Sequence, residues 1–460
     1  MRRRDMNMTK AIDARLAELG LGREAKYQLP GGQKVPWRLS PQPFVLDDER
    51  RGCLSRFGFL MTRFYFAADR IYQSALSDAR TGFVADYLDA GKPEAVIQYG
   101  RHARFKGQLP LILRPDLLWT DQGFVATEFD SVPGGAGLLA GMENVYRELG
   151  HAVPSTGDVF ARTLLDFHGK GAVAIVVSDE SSAYRPEMTY LAGLISSEDV
   201  PVLCLRPEEL TISSSGVFFG TLKIGTIYRF FELFDLDNVP NGHSLINAAM
   251  QGSVRMTPPP KAYLEEKMWF SLLRHHALEE SWQKHMGESA YGELLALIPE
   301  SHILDSRPIP PHGILPGVTK RGRPVSSFDE LRDLPRGERQ YVIKPSGFSE
   351  FAWGSKGINL GRELSTKAWG EILEVALAGF PLRTHILQKY HYSLLEQVNY
   401  YDFALDQVLD FAAKIRYCPF FFLSRKTALS QGGVLITACP AEKPLIHGMT
   451  EAVMVPAALG

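Results

Sequence analysis

"RPDLLWTDQGFVATEFDSVPGG", residues 114–135, sets four charged side chains into two apolar stretches. LILRPDLLW and GFVATEFD are separated by TDQG, whose Asp and Gly favour a tight turn, so the segment reads as a β-hairpin. Arg114 and Asp116 stand two residues apart, and Glu128 and Asp130 repeat that spacing. Side chains two apart on a strand leave the same face. Asp116, Glu128 and Asp130 would then converge, and three carboxylates on one face repel one another unless a cation lies among them. Oxygen ligands suit Mg2+ or Mn2+. Arg114, of the same parity, can grip a phosphate or carboxylate in a fork. The other reading is a solvated face of cross-strand ion pairs. The apolar flanks favour a buried hairpin, and the adjoining SVPGGAG offers backbone that a ligand can approach closely.

Outward from the hairpin, the chain alternates helical and strand patterns. Residues 6–95 read as helical, since DDERRGCLSRFGFLMTRFYFAADRIYQSAL has apolar residues at three- and four-residue spacing. AVIQYGRHARFKGQLPLILRPDLLW then turns strand-like. GAVAIVVSDE, SAYRPEMTYLAGLISSED and VPVLCLRPEEL form a strand, a helix and a strand, a βαβ unit. KAYLEEKMWFSLLRHHALEESW reads as one long helix. The strands QYVIKPSG, THILQKYHYS, FAAKIRYCPFFFLSR and GGVLITACP close the chain, with the helix TKAWGEILEVALAG among them. The class is α/β with mixed sheets. The expected division is a helical segment at 1–95, the hairpin part at 96–158, an α/β unit at 159–256 and a final part at 257–460.

Composition narrows the function. Lys plus Arg number 50 against 52 Asp plus Glu, so no basic excess points to nucleic acid. No apolar run approaches the roughly 20 residues of a membrane helix. The start is basic but lacks an apolar core, so it does not read as a signal peptide. Cys53, Cys204, Cys418 and Cys439 lie far apart, which fits a reduced, cytoplasmic protein. Oligomeric state is not legible.

The second informative stretch is YVIKPSGFSEFAWGSKGINLG, residues 341–361. An apolar strand ends at Lys344, and a loop with Ser346, Gly347, Gly354, Gly357 and Gly361 follows. Such a loop can turn backbone N–H groups toward phosphate oxygens. A lysine inside an apolar strand is costly without an anionic partner, and a nucleotide phosphate supplies one. The alternative is a lysine at a strand end that reaches solvent. The glycines fit neither GxxxxGK[ST] nor GxGxxG.

These motifs together resemble the circularly permuted ATP-grasp family that includes the synthetase domain of glutathionylspermidine synthase. RPDLLWTDQGFVATEFD is similar to the family's R-x-D…E-x-N strand pair, and here the hairpin precedes the lysines, as in the permuted group. LEEKMWFSLL resembles the segment of the first nucleotide lysine, here Lys267, on a helix. YVIKP and its loop resemble the second lysine, Lys344, and the lid. THILQKY is similar to the strand beside adenine, with Gln388 at its end. KIRYCPFFF, with Arg416, and LIHGMTEAVMVP resemble the closing strands. Asp130 stands where the family has Asn.

The resemblance implies a permuted ATP-grasp fold with a pre-ATP-grasp-like βαβ unit and a helical N-terminal segment. It also implies an ATP-dependent carboxylate–amine ligase working through an acyl phosphate. One or two Mg2+ ions, or Mn2+, would rest on Asp116, Glu128 and Asp130. Lys267, Lys344, Ser346, Gly347, Gly354, Gly357, Gln388 and Arg416 would hold ATP, and Arg114 would act in catalysis. The implied partners are small-molecule or peptide carboxylates and amines. A ligase for a peptide or protein terminus, or a silent nucleotide-binding partner protein, are the rival readings. Ser131 and Arg229 are further candidates for a substrate carboxylate. Ser131 also suits a turn cap, and Arg229 an ion pair with Glu232 or Asp235. His275 and His276, adjacent on a helix, would point different ways, and His447 reads as a loop or core residue.

Overall fold

The computed structural model describes residues 2–23, 36–307, 313–352, 357–424, 429–446 and 451–459. Gly354 and His447 lie outside the described residues. The hairpin forms as its pattern predicts, from Ile112–Thr120 and Gly123–Asp130. It sits at one edge of a seven-stranded sheet. Beyond it the order runs Gln407–Phe422, Ser430–Pro440, Val453–Leu459 and Phe44–Leu46, with Leu395–Asp402 also paired to Gln407–Phe422. The hairpin therefore pairs with a strand from the far end of the chain, Leu117 opposite Tyr417 and Leu118 opposite Arg416.

A four-stranded antiparallel sheet has the order Ser301–Leu304, His385–Lys389, Tyr341–Pro345, Asn359–Leu360. Strand parity divides it. Ile343 and Leu387 pack with Trp369 and Leu373 of the helix Thr366–Gly379. Lys344 and Gln388 take the opposite parity, toward the hairpin. A third, six-stranded sheet holds the expected βαβ unit, with Ala172–Val177 parallel to Val202–Leu205 and to Leu222–Phe230.

Four local expectations are corrected. Residues before 96 are not purely helical, because Phe44–Leu46 pairs in parallel with Val453–Leu459 and completes the main sheet. Three residues are too few to carry a legible alternation. Residues 94–101 form a helix, Glu94–Arg101, rather than a strand; Val96 and Tyr99 are the buried pair that sets its face. The long helix expected from 261 is broken into Ala262–Glu265, Trp269–Leu272, His276–Leu278 and Glu279–Met286. The Trp269 indole N–H donates to the Tyr263 carbonyl at 2.6 Å, and the Trp282 indole to the Leu272 carbonyl at 3.0 Å. Side chains thus satisfy carbonyls that a continuous helix would use. The His275 and His276 rings stack, centroids 4.9 Å apart, instead of diverging.

Candidate functional site

The hairpin register sets Arg114 opposite Asp130 and Asp116 opposite Glu128. Between them the opposite parity belongs to Phe129, whose ring meets those of Phe57, Phe64 and Phe270 at 5.9, 5.1 and 4.9 Å. That aromatic anchor holds the strand so that its charged face looks the other way. A bulge between Asp116 and Leu117 leaves Thr127 without a pairing partner. Its hydroxyl donates to the Asp116 carbonyl at 3.1 Å, and its own carbonyl accepts from Lys344 Nζ at 2.7 Å.

Lys267 lies between Ala262–Glu265 and Trp269–Leu272, in a turn rather than on a helix. Its Nζ is 2.8 Å from Glu128 Oε1 and donates to the carbonyls of Ser346 and Ala352 at 2.9 and 3.0 Å. Lys267 and Lys344 thus reach adjacent residues of one strand, Glu128 and Thr127. Burial, the largest cause, and the Lys267 charge outweigh Glu128 and Asp116 and lower the Lys344 pKa to about 8.

Asp116 is gripped from two sides. Arg416 donates to Oδ2 at 2.9 Å, and Arg114 Nε stands 3.2 Å from Oδ1. Burial alone would raise the Asp116 pKa, but these guanidiniums hold it below the ordinary carboxylate value. Arg114 also reaches Asp130 Oδ2 at 3.2 Å and donates to the Gly134 carbonyl at 2.7 Å. Asp130 shows the opposite balance: burial raises its pKa despite Arg114 and the Val132 N–H. Among the described residues no group of three or more His, Cys, Asp and Glu side chains is gathered closely enough to hold a metal ion. Each carboxylate of the expected cage has a cationic partner, Arg416 for Asp116, Lys267 for Glu128 and Arg114 for Asp130, and Arg114 also bridges to Asp116.

Glu128, Asp130, Ser131, Glu232, Phe234, Glu265, Lys267 and Gly347 border one open cleft. Glu232 and Glu265 were not legible as site residues. Burial first, then the charge of Glu265, raises the Glu232 pKa to about 8. Burial likewise raises Glu265, against the pull of Arg229. Arg229 is fully buried and does not face the cleft. It bonds Glu265 and donates to the Phe231 and Pro258 carbonyls at 2.6 and 3.4 Å, so its ion pair is with Glu265, not Glu232 or Asp235. Ser131 borders the cleft and is hydrogen-bonded to Tyr65. Gln388 donates to Ser301 Oγ at 3.3 Å across its sheet.

The glycine-bearing segments are packed rather than open. Glu187 accepts from the N–H groups of Gly135 and Leu138 at 2.8 and 2.9 Å, so the start of Ala136–Glu148 is already capped. A Cβ on Gly137 would lie 2.2 Å from the Glu187 carbonyl oxygen. The glycines of SVPGGAG therefore pack against the third sheet's unit, while Ser131 and Val132 of the same stretch border the cleft. Gly347 is required for the same reason, its Cβ position lying 2.2 Å from the Glu265 carbonyl oxygen, and Gly357 sits against Pro345. Ser346 is fully buried and bonds Glu266 while accepting from the Met268 N–H at 3.1 Å.

No family model matches the sequence, and no curated protein matches it. Comparison with solved structures does find matches. A glutathione synthetase-like effector from Globodera pallida, solved in its apo form, matches with a TM-score of 0.61 at 11% identity, over 99% of this chain and 97% of that one. A putative gamma-glutamylcysteine synthetase from Methylobacillus flagellatus matches with a TM-score of 0.43 at 11% identity, over 90% and 89%. The chain thus has the fold of the glutathione synthetase-like effector, and its class is α/β with several sheets. Among the described residues no helix is long and apolar enough to cross a membrane.

Proposed function

We propose that the chain is an ATP-dependent carboxylate–amine ligase with a circularly permuted ATP-grasp core. It would activate the carboxylate as an acyl phosphate and release ADP and phosphate. One observation carries this reading. Lys267 and Lys344, from separate elements, converge on Glu128 and Thr127 beside Asp116, Arg114 and Arg416. A carboxylate cannot expel oxide, so it needs the γ-phosphoryl group of ATP as part of a leaving group. Lys267, Lys344 and Arg416 supply positive charge for the phosphates, and Arg114 is positioned for charge that develops during transfer.

The donor set fits Mg2+ at the cleft edge. Glu128 and Asp130 border the cleft with 32% and 30% of their side chains exposed. Burial first, and then the Glu128 and Asp116 charges, raise the Asp130 pKa against the pull of Arg114, and a bound cation would offset both. Bound there, Mg2+ would neutralise triphosphate charge. Glu232 and Glu265 favour a cationic amine as the acceptor. A carboxylate near pKa 8 can take the proton that an ammonium group must lose before it attacks.

ADP release measured with a panel of carboxylates and amines, peptide termini included, tests the proposal. Continuous ADP release should require both partners, while the carboxylate alone should yield at most about one ADP per enzyme as the acyl phosphate forms. Multiple-turnover release without the amine would indicate a hydrolase. No release with any pair, despite nucleotide binding, would favour the silent partner protein.

A further inference from the structure

The longest helix, Asp48–Ala75, carries a feature that the cleft does not use. Arg56, Phe59, Arg63, Phe66 and Arg70 follow one another at steps of three, four, three and four residues, so they line one face. All five are exposed, while Phe57, Leu60, Met61, Phe64, Ala67 and Ala68 of the opposite face are buried. The Arg56 and Arg63 guanidiniums lie 4.7 and 5.2 Å from the Phe59 ring centre, and that of Arg70 lies 5.3 Å from Phe66. Stacking on the rings orders the guanidiniums and leaves their N–H edges available.

The first of them shows what those edges take. Arg56 holds Glu293, on the neighbouring helix Glu288–Leu297, in a fork of 2.7 and 2.6 Å. Arg63 and Arg70 repeat the stacked arrangement, but among the described residues neither makes an ion pair or a hydrogen bond. After burial, the Lys284 and Arg70 charges lower the His285 pKa, so Arg70 adds to a positive field at this end of the stripe.

We propose that this stripe is a docking surface for an acidic amphipathic helix of a partner protein. The occupant follows from charge complementarity and from the carboxylate that Arg56 already holds. Arg63 and Arg70 stand seven residues apart, about 10.5 Å along the axis. Carboxylates seven residues apart on a partner helix match that distance, and apolar side chains between them would cover Phe59 and Phe66. Nucleic acid asks for a broader field of positive charge than one stripe on a chain of net charge −2. The inference does not depend on the ligase reading.

The test uses the full chain and a fluorescein-labelled helical peptide of about three heptads, with glutamates at seven-residue spacing and leucines between them. A control peptide has the same composition, scrambled so that the glutamates share no face. Fluorescence anisotropy should show saturable binding of the designed peptide and at least about tenfold weaker binding of the scrambled one. Arg63→Glu with Arg70→Glu, and separately Phe59→Ser with Phe66→Ser, should each weaken binding at least about tenfold. Circular dichroism and thermal unfolding should be unchanged, because all four residues are exposed. No saturable binding, equal binding of the scrambled peptide, or equal binding by the variants would overturn the proposal. So would tighter binding of duplex DNA or phosphatidylserine vesicles that the arginine variant loses.

Discussion

Lys92 Nζ lies 2.5 Å from Glu266 Oε1, and the two side chains are 1% and 0% exposed. Glu266 also accepts from Ser346 Oγ and from the Phe348 N–H. This buried pair ties the N-terminal helical region both to the loop after Lys344 and to the residue beside Lys267. The region before residue 96 is therefore part of the site's frame.

Breaking the pair should cost far more than its net contribution, because one charge would be left buried alone. Lys92→Met should lower unfolding stability by about 3–5 kcal/mol in urea titrations. Adding Glu266→Gln, which removes the stranded charge and keeps one acceptor oxygen for the Ser346 hydroxyl or the Phe348 N–H, should recover part of that loss. Equal stability of wild type and the single variant would show that the pair is not formed.

Gly347→Ala tests the close packing of the loop on the Lys267 segment. The added Cβ would meet the Glu265 backbone oxygen at 2.2 Å, so the backbone must shift. A loss of about 1–3 kcal/mol is expected, with weaker nucleotide binding. An unchanged thermal midpoint would mean that the loop does not rest there.

Lys344 predicts a pH dependence. Its pKa is lowered to about 8, so the ammonium form dominates below that pH and is lost above it. Affinity for a non-hydrolysable ATP analogue should fall as pH rises through about 8, and binding near that pH should take up a proton. Lys344→Arg should remove the fall. The same lowered pKa penalises folding below about 8 and relaxes as pH rises toward the unfolded value of 10.5. A flat affinity between pH 7 and 9 in wild type, about a pKa unit either side, would exclude phosphate contact by Lys344.

Asp130→Asn removes a carboxylate that burial already disfavours. The fold should be retained, since the amide oxygen can still accept from Val132. Half-saturation by Mg2+ should move to higher concentration while activity survives. Complete loss of ADP production would assign Asp130 a role beyond charge.

The hairpin was legible from its alternation and turn residues, but its register was not: continuing the pairing of Thr120 with Gly123 would set Asp116 against Thr127, and only the bulge between Asp116 and Leu117 brings it opposite Glu128. The strand bearing Lys344 and the helix Thr366–Gly379 were also legible from their patterns. Pairing across the chain was not. Nothing local in Phe44–Leu46 says that it joins Val453–Leu459, and nothing in Glu232 or Glu265 says that they share a cleft with Asp130. The break at Lys267 was hidden because the indoles of Trp269 and Trp282 satisfy carbonyls from afar, which periodicity does not reveal. The packing role of the glycines was not legible, because close backbone packing and ligand approach call for the same residue.

The central claim is that Lys267 and Lys344 form one phosphate-binding site on the hairpin. Titration calorimetry of a non-hydrolysable ATP analogue with Mg2+, into wild type and into Lys267→Met with Lys344→Met, tests it most directly. Each lost charge-assisted contact should weaken binding by about 1.5–3 kcal/mol, so saturable binding by wild type should vanish in a folded double variant. Equal affinity in both proteins, or no binding by wild type, would contradict the account.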